Sequence, residues 1–414
     1  MTLWEELVWR DSIKDHTFSD VNFLEQTHKV YLGLDPSADS LTVGNLAALI
    51  FVLRLLKKGY QVFILVGGAT AMVGDPAGKS EERVLKSIDE IKSNLNNISK
   101  QITKLFQEEK ITFVNNYDWF KDVHYIDFLR DVGKYFNLSD LVARDFIKQR
   151  VSDDNTGISY AEFSYTLIQG YDYWHLNQKY GVDLQIGGSD QWGNLISGVN
   201  LIKRKEDKEV HAMTIPLIIN KTTGIKFGKS ESGAVWLDPL KTTPTAFYQF
   251  FINCSDDEVE YLIKAFTFLD KNQVEEIMSS HFENPGFRLA QAKLAYEITV
   301  LVHGKNMADK ALRVTQILTN RINLNQISDS DIDEIERSIP NLKVSLDTNI
   351  LDILIQTNLC LSKTEARQLL KAGAISINFE KIYRENLTKQ DFVNNVLLIK
   401  KGKAFKDSAL IRLH

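Results

Sequence analysis

The chain has 414 residues, 44% of them hydrophobic and 25% charged, with a formal net charge of −5. That length exceeds a single hydrophobic core and predicts about two to four domains of an ordinary globular protein. No apolar run reaches the ~18 residues of a membrane span. The start, Met1-Thr2-Leu3-Trp4-Glu5-Glu6-Leu7, lacks the basic and apolar regions of a secretory leader. Cys254 and Cys360 are far apart in plain contexts, which argues against a disulfide or zinc site and for a reducing, cytoplasmic compartment. Charge is unevenly spread. From residue 341 onward there are 12 Lys and Arg against 7 Asp and Glu, a net +5 that leaves −10 on the rest. This asymmetry suggests a basic module appended to an acidic body.

Strand and helix signals alternate over the first ~220 residues. Residues 29–34 form a short extended run. Residues 44–58 read as a helix, with Leu46, Leu49, Ile50, Leu53 and Leu56 at helical spacing, Lys57 and Lys58 at its negative end and Gly59 after it. Residues 62–66 are continuously apolar, as in a buried parallel strand. Together they make a βαβ unit and predict an α/β, Rossmann-like parallel sheet. Further strands are expected at 111–114, 183–186 and 214–219, with a mostly helical insertion at about 125–180. The expected division is a catalytic domain over 1–222, an α-helical domain with a lysine loop over 223–325, an acidic linker over 326–346 and a small α+β domain over 347–414. In the last of these, Ser362-Lys363-Thr364-Glu365 is a capping-box sequence. It opens a helix with Ala366, Leu369 and Leu370 on one face and a stop at Gly373. Lys363, Arg367 and Lys371, four apart, form a cationic stripe on it.

Several segments carry chemistry-bearing residues. Gly33-Leu34-Asp35-Pro36-Ser37-Ala38-Asp39-Ser40-Leu41-Thr42-Val43-Gly44-Asn45 reads as a strand ending in a small-residue turn that opens a helix. Lys226-Phe227-Gly228-Lys229-Ser230 reads as a lysine-bearing loop. Meeting across a sheet, the two would hold a triphosphate between a helix N-terminus and two ammonium groups. Gly74-Asp75-Pro76-Ala77-Gly78-Lys79-Ser80 is not a P-loop, because three residues rather than four separate its glycines. Tyr165, Gln169 and Asp172 share one helix face. Gln185-Ile186-Gly187-Gly188-Ser189-Asp190-Gln191-Trp192-Gly193-Asn194 follows a strand, where glycines permit close ligand approach.

These segments, in this order, resemble the signatures of class I aminoacyl-tRNA synthetases, and nearly the whole chain resembles the bacterial-type tyrosyl-tRNA synthetases. The small C-terminal unit is similar to an RNA-binding domain shared with a ribosomal protein. The resemblance implies a homodimer that uses ATP, with Mg²⁺ on its phosphates and no protein metal site, to activate L-tyrosine for tRNA(Tyr). It makes Lys79, Arg83, Lys226 and Lys229 the cations that meet the leaving pyrophosphate, with Ser37 and Thr42 beside them. Tyr31 and Asp172 become the partners of the tyrosine hydroxyl. Asp75, Tyr165 and Gln169 meet its amino group, Gln191 its carboxylate end, and Asn116 and Trp119 also match. Asp35, Gly44, Asn45, Gly188, Asp190 and Ser230 fall to ATP, with Lys229. Lys363, Arg367 and Lys371 fall to RNA. The dimer interface is expected near residues 130–149.

The chain departs from the pattern chiefly at one motif, and Leu32 also replaces a polar-capable residue that some members have near the ribose. The family usually has His-Ile-Gly-His where this chain has Thr42-Val43-Gly44-Asn45. An amide at 45 still donates to an oxygen, whereas a threonine at 42 cannot become cationic. The expectation is slower activation, carried by the four cations. Two other readings stand beside it. Tyr31 with Asp172 favours a phenol over the indole of a tryptophanyl enzyme, and the retained lysines argue against an inactive RNA-binding derivative.

Overall fold

The computed structural model describes residues 1–75, 86–107, 110–142, 158–219, 227, 229–230, 233–402 and 405–414. The chain divides into two compact units, Met1–Asp238 with Asp257–Met278, and Pro239–Asp256 with Ser279–His414.

In the first unit, β1 (Asp15–His16), β2 (Lys29–Leu34), β3 (Gln61–Val66), β4 (Ile111–Asn115), β5 (Leu184–Gly188) and β6 (His211–Ile215) form a sheet in the order β1-β6-β5-β2-β3-β4. All neighbours are parallel except β1, which pairs antiparallel with β6 at the edge. β3 is buried along Val62 to Val66, because helices cover both faces of such a sheet. From β2 the chain winds outward to β3 and β4. It then returns to place β5 and β6 on the other side of β2. Strand order therefore reverses between β2 and β5, and a crevice opens at their C-terminal ends. Register sets Tyr31 of β2 between Phe63 and Gln185.

The helix Val43–Lys57 follows β2 and buries Leu46, Leu49, Ile50 and Leu53. It ends at Gly59, whose φ of +92° disfavours a side chain. Sequence placed β6 at 214–219, but Pro216 has no N–H to offer the ladder and the strand closes before it. Within the expected insertion lie helices Tyr125–Asp131, Leu138–Val142 and Tyr160–Tyr180, the last capped by Ser159 and stopped by Gly181 in the left-handed region. Residues 143–149 of the expected dimer interface lie outside the described residues.

In the second unit, helices Pro244–Ile252, Leu289–His303 and Lys305–Leu318 bury Phe247, Phe251, Leu294, Ile298, Val314 and Ile317. The stretch read as a linker is built instead as a helix and a strand. Asp329–Ser338 is capped by Ser328 and buries Ile332 and Ile335, while β9 (Asn341–Val344) pairs parallel with β13 (Ser408–Leu413). β9 completes a second sheet in the order β11-β10-β12-β13-β9, with β10 at Ile375–Ile377, β11 at Glu380–Lys381 and β12 at Val396–Lys401. This sheet is covered on both sides. Leu397, Ile399, Ala409 and Ile411 meet helices Ile350–Gln356 and Lys363–Lys371, whereas Val396, Leu398 and Leu410 meet Val314, Ile317, Leu318 and Ile335. The helix Lys363–Lys371 starts as expected. Ser362 Oγ accepts from Glu365 N at 3.2 Å, although the Glu365 carboxylate reaches back one residue further, to Leu361 N.

Candidate active site

A cleft of about 360 Å³ occupies the crevice between β2 and β5. Tyr31 of β2, Asp35 of the first motif, Gly44 and Asn45 at the helix start, Tyr165, Gln169 and Asp172 of the helix Tyr160–Tyr180, and Gly188, Asp190 and Gln191 at and after the end of β5 all line it. Ser37, Thr42, Asp75 and Phe227 line it too. Most of the residues singled out from sequence therefore converge, although they span nearly 200 positions of chain. Lys79, Arg83 and Lys226 lie outside the described residues. Lys229 and Ser230 form the short strand β7, paired with Gly233–Ala234, and only their backbone is described.

At one end of the cleft is a buried polar group of unusual character. Asp172 is 1% exposed. Its Oδ1 accepts from Trp119 Nε1 at 2.9 Å and its Oδ2 from Asn116 Nδ2 at 3.1 Å. Burial raises its pKa to about 8, against the pull of these two donors, and the nearby Asp35 charge adds to the rise. Tyr31 is equally buried, and its hydroxyl has no hydrogen-bond partner among the described residues. Burial and the neighbouring Asp172 hold its pKa well above the ordinary value. A buried hydroxyl without a partner costs free energy, and such groups in native proteins generally have a reason. Here an acid and an unsatisfied phenol share one enclosed end of a cleft.

The middle of the cleft is a carboxylate network. Asp35 Oδ1 accepts from Thr70 Oγ1 at 2.7 Å and Oδ2 from Tyr165 OH at 2.8 Å. Asp75 Oδ2 accepts from Gln191 Nε2 at 2.6 Å, and Gln191 Oε1 accepts in turn from Asn194 Nδ2. A side chain at Gly67 would stand 2.0 Å from Thr70 Oγ1 and 2.5 Å from Asp35 Oδ1, so the glycine there is what allows this network to close. Burial, joined by the Asp35 and Asp75 charges, pushes the Tyr165 pKa well up. Asn116 does not line the cleft. It stands behind Asp172, anchored by Ala69 N and Thr70 Oγ1, and orients the carboxylate from outside.

At the other end stands the start of the helix Val43–Lys57. Thr42 N and Thr42 Oγ1 both donate to Asn45 Oδ1 at 3.0 Å. The two departures from the family pattern are thus partners, and the threonine proton is directed at the amide rather than at the cleft. A side chain at Gly44 would meet only ordinary contacts, at 3.5 and 3.7 Å, so the packing leaves that glycine open for a ligand. The described ends of the lysine loop flank this point. Phe227 donates to Ile218 O, while Val43 N donates to Val235 O and Leu237 N to Leu41 O.

Sequence reasoning missed three positioning groups. Thr70 links Asp35 to Asn116. From the helix Ile88–Phe106, Asn94 Nδ2 donates to Pro36 O at 3.1 Å, and Gln101 Oε1 accepts from Leu41 N at 2.9 Å while its Nε2 donates to Ser40 Oγ at 3.0 Å. Only the polarity of these two positions on an otherwise apolar stripe of Ile91, Ile98, Ile102 and Leu105 hints at them.

The profile of the family described as tRNA synthetases class I (W and Y) matches residues 24–319. The chain belongs to that family. A second profile, a tyrosine–tRNA ligase SYY-like C-terminal domain, matches residues 331–406. Among relatives of this synthetase, tyrosine–tRNA ligase 1 of Streptococcus thermophilus is 42% identical over 97% of this chain and 98% of its own. The tyrosine–tRNA ligase of Staphylococcus haemolyticus is 41% identical, with 97% of each chain covered. A C-terminally truncated mitochondrial tyrosyl-tRNA synthetase of Aspergillus nidulans is structurally similar, with a TM-score of 0.68 and 31% identity over 76% of this synthetase and 93% of that chain.

Proposed function

We propose that this synthetase is a tyrosine–tRNA ligase. It activates L-tyrosine with ATP to tyrosyl-adenylate and pyrophosphate, then transfers the tyrosyl group to the terminal ribose of tRNA(Tyr) with release of AMP. The observation that carries this reading is the orphaned Tyr31 hydroxyl beside Asp172. A tyrosine ring reaching that end satisfies both groups at once. A ring without the hydroxyl leaves the Tyr31 hydroxyl unpaired and brings Asp172 no further donor, an argument whose usual illustration is a tyrosyl enzyme rejecting phenylalanine.

The remaining roles follow along the cleft. The substrate ammonium sits among Asp75, Tyr165 and Gln169, with Asp35 behind Tyr165. Gln191, held by Asp75 and Asn194, faces the carboxylate that attacks the α-phosphate. ATP lies over Gly44, its ribose towards Gly188 and Asp190 and its phosphates towards Ser37, Thr42 and Asn45, with the Asp35 turn beneath. Lys79, Arg83, Lys226 and Lys229 neutralise the departing pyrophosphate. Positioning and charge complementarity supply the catalysis, since the reaction asks little covalent chemistry of the protein. Mg²⁺ would accompany ATP on its phosphates; no group of three His, Cys, Asp or Glu that could hold a metal occurs among the described residues. The second unit holds tRNA, with Lys363, Arg367 and Lys371 as candidate contacts. A second copy of the chain covers the exposed Tyr125, Ile126, Leu138 and Tyr160 to form a homodimer. No helix among the described residues is long and apolar enough to cross a membrane.

Tyrosine-dependent ATP–pyrophosphate exchange tests the proposal, with phenylalanine and tryptophan as controls. Exchange with tyrosine alone supports it, and absence of exchange with any of the three refutes it.

A further inference from the structure

The second unit contains a cavity of its own, about 140 Å³, lined by residues of helices Pro244–Ile252, Leu289–His303 and Lys305–Leu318 and of β12. Three cations, Arg288, Arg321 and Lys400, line it, and no Asp or Glu does among the described residues. Their described hydrogen bonds go to backbone carbonyls. Arg288 Nη2 donates to Ile252 O at 2.8 Å and Cys254 O at 2.7 Å, Arg321 Nη2 to Phe287 O at 3.3 Å, and Lys400 Nζ to Leu318 O at 2.8 Å. Carbonyl oxygens orient a cation without neutralising it. Asp407 acts on Lys400 electrostatically but is not among the lining residues.

A second observation points into the same cavity. Tyr248 is 0% exposed, lines the cavity, and its hydroxyl has no partner among the described residues. The Arg321 charge acts on that phenol. The neighbouring Gln249 amide is already engaged, donating to Thr315 Oγ1 at 2.6 Å. Exposed Asn253, Thr319 and Arg321 leave the cavity open to solvent. Three cations held only by carbonyl oxygens, with no described carboxylate in the lining, and an orphaned hydroxyl donor match an anion with several acceptor oxygens.

We propose that this cavity takes a phosphate group. Two sources share that chemistry, a backbone phosphate of RNA and the free ion. The RNA source rests on the ligase function proposed above; the cavity's chemistry does not. Unlike the three cations of the cavity, two cations of the stripe Lys363, Arg367, Lys371 face carboxylates across exposed surface. Lys363 pairs with Asp352 at 2.6 Å and Arg367 with Glu385 at 3.1 Å.

The test uses the full chain with Arg321→Ala and Tyr248→Phe, the second removing only a hydroxyl that bonds to nothing described. Binding of a tRNA(Tyr) transcript is measured across salt concentrations, alongside thermal unfolding with and without millimolar inorganic phosphate and alongside tyrosine-dependent ATP–pyrophosphate exchange. If RNA supplies the phosphate, both variants bind the transcript several-fold more weakly, and Arg321→Ala lowers the salt slope by about one. Exchange stays at the wild-type rate. If the free ion is the ligand, transcript binding is unchanged, and inorganic phosphate raises the melting temperature of the wild type but not of the variants. Wild-type transcript binding in both variants, together with no stabilisation by phosphate, overturns the proposal. Loss of exchange in the wild type would instead sink the ligase reading and leave the phosphate arm to judge the cavity alone.

Discussion

Replacing Tyr31 by Phe should move stability and affinity in opposite directions. In the empty protein the Tyr31 hydroxyl is buried without a described partner. An unsatisfied buried donor costs about 1–3 kcal/mol, so its removal stabilises the empty protein by roughly that amount. For a unit of this size that is a rise in melting temperature of about 2–4 °C per kcal/mol. Tyrosine binding relieves the same penalty in the wild type and cannot do so in the variant. The dissociation constant for tyrosine therefore rises by about the same 1–3 kcal/mol, or roughly 5- to 150-fold. Phenylalanine has no hydroxyl to offer, so its affinity does not fall and the preference for tyrosine narrows by the same factor. Scanning calorimetry of the empty protein and titration calorimetry with each amino acid measure all three quantities. A variant that melts lower than the wild type, or that binds tyrosine equally well, would refute the argument, because either result means the hydroxyl already has a partner.

Four further outcomes follow from the site. Asp172 keeps its proton up to about pH 8 in the empty cleft, and a phenol that donates to it favours the ionised form; tyrosine affinity should rise between pH 6 and 8, by at most tenfold per unit, with a proton released on binding that buffer-dependent calorimetry detects. By the same linkage, the raised pKa means that the empty protein loses stability as pH climbs from the ordinary carboxylate range through 8. Asp172→Asn should therefore gain in melting temperature relative to the wild type at pH 8 but not at pH 5. Gln101→Leu frees the turn at Ser40 and Leu41 and should raise the KM for ATP while leaving that for tyrosine unchanged; an equal rise in both would show general unfolding instead. Thr42→His replaces a hydroxyl whose proton is committed to Asn45 with a group able to donate into the cleft, and should speed ATP–pyrophosphate exchange, whereas an unchanged or lower rate would mean that the Thr42–Asn45 pair already compensates.

The parts of this molecule that were legible in sequence are those whose physics is local. β2, β3 and the helix Val43–Lys57 announce themselves by an apolar run, helical spacing and a terminal glycine. The helix Asp329–Ser338 did not, because Asp329, Asp331, Asp333, Glu334 and Glu336 dominate its composition while Ile332 and Ile335 are its only buried apolar side chains. Strand β9 was hidden because its partner lies some seventy residues away at the chain end. The site shows the same division. Asp172, Tyr165 and Gln169 were legible as one helix face, whereas the roles of Asn116, Thr70 and Gln101 depend on neighbours dozens of positions distant. The ion pairs of Lys363 with Asp352 and of Arg367 with Glu385 are likewise non-local and were not legible in the charge pattern.

The two-sided burial of β12 bears on how shortened versions of this chain should be interpreted. Val396, Leu398 and Leu410 are the cover over Val314, Ile317 and Leu318. Cutting the chain before residue 341 would bare that apolar strip on the helix Lys305–Leu318 and leave a sticky surface in water. A truncated form that precipitates, or that loses tRNA binding, would then be reporting an uncovered helix as much as a missing RNA contact. Point changes on the outer surface are the cleaner way to ask what the C-terminal sheet touches.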